Sequence, residues 1–185
     1  MDTIDEIKAK ARKTAFAGRK SAFGTGRDAA AQAHLRAALA EYVDAALAGY
    51  LPIRTEIDPV PVMAAHAGPV GVPVILGKGQ PLEFHRWSAG TPLTEGAFGA
   101  MIPVDGVAVT PRVLIVPLVG FDARGYRLGY GGGFYDRTLA KLRAAGPVYA
   151  LGFAFDAQEL PEVPIDAYDQ QLDGIVTETG LRQFR

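Results

Sequence analysis

An uncharged run from Val113 to Phe121 is the feature that most constrains the fold of this chain. Its nine residues are mostly aliphatic, which is typical of a strand buried on both faces of a sheet. A glycine-rich loop over Asp122–Gly133 follows it, and a helix is expected from about Tyr135 to Ala145. A buried strand, a loop and a helix in this order indicate an α/β protein.

The other apolar patterns predict alternating helices and strands. Helices are expected over Ile4–Lys20, from Asp28 along an apolar stripe that reaches Leu47, and from Asp58-Pro59 to about Gly68. Near Ala45 the second helix could instead give way to a strand that runs to Leu51, and periodicity does not decide between the two. Further strands are expected at Val72–Leu76, Leu82–Trp87, Tyr149–Phe155 and Leu172–Thr177. We therefore expect a single α/β domain over residues 1–185, with a mixed, mostly parallel sheet flanked by helices on both faces.

Composition excludes several classes of function. With 19 Lys and Arg against 20 Asp and Glu, the chain lacks the overall positive charge expected of a nucleic-acid-binding protein. Because it contains no cysteine, disulfides, thiolate metal sites and a cysteine nucleophile are all ruled out. The uncharged stretch Val60–Gly77 is interrupted by prolines and glycines, which disfavour a membrane-spanning helix. We expect a monomeric, cytoplasmic protein with no nucleic-acid or membrane partner.

The glycine-rich segment Arg124–Arg137 is the best candidate for a ligand site. It follows a buried strand, and open α/β sheets bind ligands at the carboxyl ends of their strands. Backbone N–H groups of glycines and of a helix N-terminus can converge on an anion, while Arg127 and Arg137 add positive charge. Asp136 could hold a magnesium ion beside phosphate oxygens. The segment matches neither a P-loop nor a dinucleotide fingerprint, so a plain turn with Asp136 as a helix cap remains the alternative.

The order of residues within this segment resembles a known family. Leu114–Arg137 reads LIVPLVGFDARGYRLGYGGGFYDR, which resembles the signature of the 5-formyltetrahydrofolate cyclo-ligases, also called methenyltetrahydrofolate synthetases. Further segments resemble the family in the same order along the chain: Lys8 with Arg12 and Arg19 in the basic first helix, Tyr50-Leu51-Pro52 with Glu56, and Val163-Pro164 with Asp169 and the residues 173–178. The resemblance spans nearly the whole chain.

The resemblance implies an ATP- and magnesium-dependent enzyme with small-molecule substrates. Such enzymes convert 5-formyltetrahydrofolate to 5,10-methenyltetrahydrofolate by phosphorylating the formyl oxygen, after which N10 closes the ring. The protein must position two anionic ligands and stabilise the transferring charge, and it needs no nucleophilic side chain.

The resemblance also assigns roles to individual residues, with Arg127 and Tyr135 implied as catalytic. The implied ATP-binding residues are Lys8, Arg12, Arg127, Leu128, Gly129, Tyr130, Gly131, Gly132, Gly133, Phe134 and Tyr135. The implied folate-binding residues are Leu51, Glu56, Tyr130, Gly131, Gly132, Gly133 and Phe134. Asp136 and Asp169 are implied as ligands of Mg²⁺.

The chain departs from the family pattern at three positions. Many members have Tyr where this chain has Phe134, an acid in place of Ile102, and His in place of Tyr168. Two other functions are compatible with the sequence. One is a non-catalytic regulator that binds nucleotide or folate, against which the intact Asp136, Glu56 and Arg127 argue. The other is an RNA-binding accessory protein, which only the basic first helix suggests.

Overall fold

The computed structural model describes residues 2–185 and contains four α-helices and eleven strands within them. The helices are α1 (Ile4–Ala22), α2 (Asp28–Ala38), α3 (Val60–Ala64) and α4 (Phe134–Ala145). The strands are β1 (Leu47–Ala48), β2 (Val70–Val74), β3 (Glu83–Arg86), β4 (Leu93–Glu95), β5 (Met101–Pro103), β6 (Val113–Val116), β7 (Gly120–Phe121), β8 (Arg127–Leu128), β9 (Tyr149–Phe153), β10 (Gly174–Thr177) and β11 (Gly180–Gln183). Short 3-10 helices lie at Ala40–Tyr42, Ala97–Gly99 and Asp156–Gln158.

Seven strands form one sheet in the order β11-β10-β9-β6-β1-β2-β3. The five inner strands are parallel, and each edge strand, β3 and β11, pairs antiparallel with its neighbour. A mixed, mostly parallel sheet is therefore confirmed. None of the helices within residues 2–185 combines the length and apolar character that crossing a bilayer requires.

The sheet is covered on both faces, as β6 illustrates. Val113 and Ile115 join the core beneath α2 and α3, whereas Leu114 and Val116 join the core beneath α4. Alternate residues of a strand point to opposite faces, so an all-apolar strand is the pattern that two covered faces require. The predicted α/β class with helices on both faces is confirmed.

The prediction of one strand over Val113–Phe121 is wrong. β6 ends at Val116, because Pro117 has no N–H with which to continue the ladder. The chain resumes as β7, which pairs antiparallel with β8 in a separate two-stranded sheet. Part of the segment expected as a loop, Asp122–Gly133, is therefore strand β8. All of the run except Pro117 is buried, but its two halves belong to different sheets.

Other boundaries also differ from expectation. α2 ends at Ala38, and the strand alternative near Ala45 is correct in kind, since β1 covers Leu47–Ala48. α3 is only five residues long and begins after Pro59, where the Asp58 carboxylate accepts a hydrogen bond of 2.8 Å from the N–H of Val60. β2 begins at Val70, two residues before its predicted start.

The bounds of α1 and α4 follow from their sequences. α1 begins with a capping box, in which Thr3 and Glu6 each bond the other's backbone N–H. α4 is preceded by Gly133, whose φ of +67° is a conformation that side chains disfavour, and it ends at Gly146. Four strands had no predicted counterpart: the hairpin of β4 and β5, β8 within the expected loop, and the edge strand β11.

Candidate functional site

A cavity of 820 Å³ lies at the carboxyl ends of the central parallel strands. Residues that follow three of these strands line the cavity: Tyr50 after β1, Ile75 after β2 and Pro117 after β6. Every residue to which the sequence assigned a site role lines this cavity: Lys8, Arg12, Leu51, Glu56, Arg127, Leu128, Gly129, Tyr130, Gly131, Gly132, Gly133, Phe134, Tyr135, Asp136 and Asp169. The fold thus gathers segments from both ends and the middle of the chain, while the roles of these residues stay predictions.

The glycine-rich loop between β8 and α4 forms one wall of the cavity. Gly131 has φ of +106°, and Gly133 directly precedes the first turn of α4. Arg12 of α1 donates a hydrogen bond of 2.8 Å from Nε to the carbonyl of Gly129 and so ties the loop to α1. The backbone N–H groups at the start of α4 face the same cavity, an arrangement that favours an anion.

Arg127 and Asp136 form an ion pair at the base of this loop. The distance from Arg127 Nη1 to Asp136 Oδ1 is 3.0 Å, and the Arg127 side chain is 5% exposed. Arg127 also donates to the carbonyl of Gln170, whose own N–H donates to Asp136 Oδ1. The pair is therefore fixed by a backbone segment from the C-terminal part of the chain.

Lys8 pairs with two carboxylates on that same C-terminal segment. Its Nζ lies 2.8 Å from Asp166 Oδ2 and 2.8 Å from Asp169 Oδ2. Burial by itself lowers the pKa of Lys8, but the two carboxylates outweigh it and the net pKa is raised. The hydrogen bond from Lys8 lowers the pKa of Asp166. Both shifts favour the charged forms of Lys8 and Asp166.

Glu56 is a buried carboxylate that lines the same cavity. It is 6% exposed, and it accepts hydrogen bonds of 2.9 Å from the N–H of Ile53 and from the hydroxyl of Tyr130. Burial raises the pKa of Glu56, while these hydrogen bonds and the nearby Arg19 oppose that shift. The bonds hold the carboxylate in one orientation beside the glycine-rich loop.

Tyr135 contributes a buried hydroxyl that finds no hydrogen-bond partner within residues 2–185. Its ring centroid lies 6.0 Å from the guanidinium carbon of Arg127. Burial raises the pKa of the Tyr135 phenol far above its usual value, so the group stays neutral and can donate. Most buried polar groups in proteins have a partner, and an orphan that lines a cavity points to a ligand.

The carboxylates of the site fit a magnesium ion that binds together with phosphate. In the described part of the chain, no group of three or more His, Cys, Asp or Glu side chains forms a ready-made metal cage. Asp136 and Asp169 line the same cavity, but each is paired with a different cation. Mg²⁺ is usually held by one or two carboxylates plus substrate phosphates and water, and this donor set meets that requirement.

The three departures from the family pattern occupy different places. Phe134 lines the cavity, and the Arg137 guanidinium lies 5.4 Å from its ring centroid. Tyr168 also lines the cavity and is 83% exposed. Ile102 is a half-buried residue of β5.

Sequence reasoning missed three contributors to the site: Arg19, Asp166 and Gln170. Arg19 belongs to the basic first helix that resembles the family, but the sequence assigns it no site role, and the structure shows it buried. Asp166 and Gln170 lie close to Asp169, in a segment where the family resemblance rests on other residues. Their proximity to Lys8, Arg127 and Asp136 arises only when the chain folds.

The covered parallel sheet with a cavity at its carboxyl ends defines an α/β protein of the kind that binds small ligands at that edge. Residues 6–178 match the sequence model of the 5-formyltetrahydrofolate cyclo-ligase family, and the chain belongs to this family. The resemblance seen in the sequence is thereby confirmed.

Individual relatives agree with this assignment. The chain is 46% identical over 72 residues to the 5-formyltetrahydrofolate cyclo-ligase of Escherichia coli (strain K12), a match that covers 39% of each protein. It is 37% identical over 100 residues to the protein of that name from Haemophilus influenzae, covering 51% of this chain and 53% of the relative. These alignments span less than two thirds of the relatives' length.

Solved structures match over nearly the whole chain. The 5,10-methenyltetrahydrofolate synthetase of Aquifex aeolicus superposes with a TM-score of 0.77 at 29% identity, covering 97% of this chain and 93% of that one. The synthetase of Mycoplasma pneumoniae shares the fold, with a TM-score of 0.73 at 22% identity over 92% of this chain and 98% of that one.

Proposed function

We propose that this chain converts 5-formyltetrahydrofolate to 5,10-methenyltetrahydrofolate with consumption of ATP. The observation that carries the proposal is the cavity of 820 Å³, which is lined by the buried carboxylate of Glu56 and by a glycine-rich loop at a helix N-terminus. Its volume lies in the range of about 300–1,000 Å³ that is usual for small-molecule sites. The Glu56 carboxylate suits a pterin, and the glycine-rich loop suits phosphates.

The chemistry requires activation of a poor electrophile. The nitrogen of the formyl amide donates into its carbonyl, and the carbonyl oxygen is a poor leaving group. Transfer of the γ-phosphoryl group of ATP to that oxygen gives ADP and an iminium phosphate. N10 of the same folate then attacks the iminium carbon, the C–O bond breaks, and phosphate leaves as N10 loses its proton. Ring closure is intramolecular, so holding the folate in a bent conformation supplies much of the rate.

Three cations are placed to bind the phosphates. Lys8, Arg12 and Arg127 line the cavity beside the glycine-rich loop. Each already bonds an acceptor of the protein, namely Asp166 and Asp169 for Lys8, the Gly129 carbonyl for Arg12, and Asp136 for Arg127. Nucleotide binding therefore proceeds by exchange of partners, and the cations keep fixed positions before the ligand arrives.

Glu56 suits the amino-pyrimidine edge of the pterin. An ionised carboxylate has about four acceptor sites and can receive two parallel N–H bonds. Ile53 and Tyr130 occupy one site on each oxygen, which leaves acceptor capacity for a ligand. Leu51 and Phe134 supply apolar surface in the same cavity.

Tyr135 would donate its unpartnered hydroxyl to a ligand oxygen, where negative charge develops during phosphoryl transfer. Asp136 and Asp169 are the residues that would hold Mg²⁺. When bound there, the ion would neutralise charge on the phosphates.

The test is the absorbance of the conjugated amidine in the methenyl product during incubation with 5-formyltetrahydrofolate, ATP and Mg²⁺. We expect a band that grows only when all three are present. Glu56→Gln should abolish it at low folate concentration, whereas Glu41→Gln, at an exposed position, should not. Well-folded protein that binds both ligands without turnover would indicate a non-catalytic regulator, and absence of folate binding would refute the proposal.

A further inference from the structure

Arg19 of α1 is a buried cation beside Glu56 and Tyr130. It is 1% exposed and contacts two residues that line the cavity, Tyr130 and Glu56. Burying an arginine is costly unless its donors are satisfied and its charge is balanced. Arg19 therefore has a role that a solvated basic helix face does not explain.

The contacts of Arg19 form a relay that ends on Glu56. Its Nε donates to Thr55 Oγ1 at 3.0 Å, and its Nη1 donates to the Tyr130 hydroxyl at 2.8 Å. The same hydroxyl lies 2.9 Å from Glu56 Oε1. Because an arginine only donates, the Tyr130 oxygen must accept from it, and the single phenolic proton is directed to the carboxylate.

The relay also fixes the glycine-rich loop. Tyr130 lies between Gly129 and Gly131, and the guanidinium carbon of Arg19 is 5.6 Å from its ring centroid and 5.0 Å from that of Phe16. Arg19 thus connects α1, the loop and the Glu56 segment at one point. A shift of Tyr130 would therefore disturb both the glycine-rich loop and the orientation of Glu56.

We propose that Arg19 is a positioning residue that acts through Tyr130 to hold Glu56 as an oriented, ionised acceptor for the pterin edge of folate. The inference deepens the proposed function and rests on it for the identity of the ligand. Arg19 itself does not touch the folate in this arrangement. Its contribution is to the carboxylate that does.

The charges around Glu56 make the effect of removing Arg19 predictable. Glu56 is faced by Arg19 from α1, by Arg54 from its own segment, and by the phenols of Tyr50, Tyr130 and Tyr135. Burial raises the pKa values of the three phenols, so they remain neutral at the pH of the assay. Loss of the Arg19 charge therefore raises the pKa of Glu56 further, with Arg54 left as the remaining cation.

The experiment compares Arg19→Gln, which removes the charge, with Arg19→Lys, which keeps it. Lys20→Gln is the matched control, since it removes a charge from an exposed position next in the helix. The first readout is the titration of the Glu56 carboxyl by carbon NMR in the ligand-free protein. The second is the Kd for 5-formyltetrahydrofolate without nucleotide, measured between pH 6 and pH 9.

We expect Arg19→Gln to move the Glu56 titration to higher pH and to raise the folate Kd by at least about tenfold at pH 7. The rise should grow as the pH falls, because a protonated carboxyl loses acceptor capacity. Arg19→Lys should bind more weakly than wild type but keep its pH profile, since a lysine carries the charge without the planar fork. A folded Arg19→Gln variant with the titration and Kd of Lys20→Gln would overturn the proposal.

Two further arms keep the result decisive. If Arg19→Gln does not fold, Tyr130→Phe breaks the relay with Arg19 in place. Tyr130→Phe should also raise the folate Kd and move the Glu56 titration to higher pH. Wild-type values of both quantities would overturn the inference. If the wild-type protein binds no folate, the proposed function fails, while the NMR titration of Glu56 still decides whether Arg19 sets the state of that carboxylate.

Discussion

Tyr135→Phe separates stability from function at the site. The Tyr135 hydroxyl is buried and has no hydrogen-bond partner within residues 2–185, so its removal costs no bond in the free protein. An unpaired buried polar group is itself unfavourable by about 1–3 kcal/mol. We therefore expect the free energy of unfolding of Tyr135→Phe to equal or exceed that of wild type, by up to about 1 kcal/mol.

Tyr50→Phe is the matched control for stability. The Tyr50 hydroxyl is also buried, but it donates a hydrogen bond of 2.7 Å to the carbonyl of Ile57. Removing it leaves that buried carbonyl unpaired, at a cost of about 1–3 kcal/mol. In a chain of this length, each kcal/mol corresponds to about 2–4 °C in Tm. Calorimetry should thus show a lower Tm for Tyr50→Phe than for wild type, and an unchanged or higher Tm for Tyr135→Phe.

Turnover should respond strongly to Tyr135→Phe. A hydrogen bond to a charged group contributes about 1.5–3 kcal/mol, which corresponds to a loss of about 10- to 100-fold in kcat/KM. Initial rates of methenyl product formation measure this directly. A stable Tyr135→Phe variant with the wild-type rate would refute the assignment, because the orphan hydroxyl would then have no ligand to bind. A large loss of stability would show that the hydroxyl has a partner in the protein.

Three other substitutions test the remaining parts of the site. Asp136→Asn keeps an oxygen acceptor for both partners of that side chain, so it should fold and yet lose at least about 100-fold in turnover at any Mg²⁺ concentration; a wild-type rate would contradict the metal assignment. Burial raises the pKa of Glu56 in the folded protein, so ionisation of this group destabilises the fold as the pH rises from about 4.5 through the raised pKa. In urea unfolding, wild type should lose stability relative to Glu56→Gln over that rise in pH, and a constant difference would argue against it. Gly131→Ala places a side chain at φ of +106° with Cβ 3.3 Å from Arg12 Nη2, so KM for ATP should rise about tenfold. Gly90→Ala, which lies outside the cavity lining and meets open space, should be silent; equal effects of the two substitutions would refute the loop assignment.

Local pattern predicted the elements that carry their own signals. α1 and α4 were expected within a few residues of their observed bounds, because capping residues and glycines mark their ends. The run Val113–Phe121 shows what such signals omit. Its apolar composition indicates burial, and all of it but Pro117 is buried, yet composition does not say which strand each half pairs with. Pro117 is the residue from which the break could have been predicted.

The site was predictable to the extent that motifs carry it. Each residue to which the family resemblance assigned a site role lines the cavity, because those residues lie in ordered segments that the family signature covers. Asp166 and Arg19 could not be found in that way. Lys8 and Asp166 are 158 residues apart in sequence, and Arg19 and Tyr130 are 111 residues apart. Such pairs are set by packing of α1 against distant loops, which no local spacing reports.

The ion pairs of Lys8 and Arg127 affect how the cavity could accept both a phosphate anion and a metal cation. Lys8 is held by Asp169, and Arg127 is held by Asp136, so the cavity keeps its opposite charges matched in the free protein. A phosphate that takes Lys8 releases the Asp169 carboxylate, and one that takes Arg127 releases Asp136. The site thus gains acceptors for a cation as it gains an anion, and it never holds several buried charges of one sign without partners. If the proposed magnesium site is correct, the same two carboxylates would serve both states, and the ion would need no preformed acidic cage.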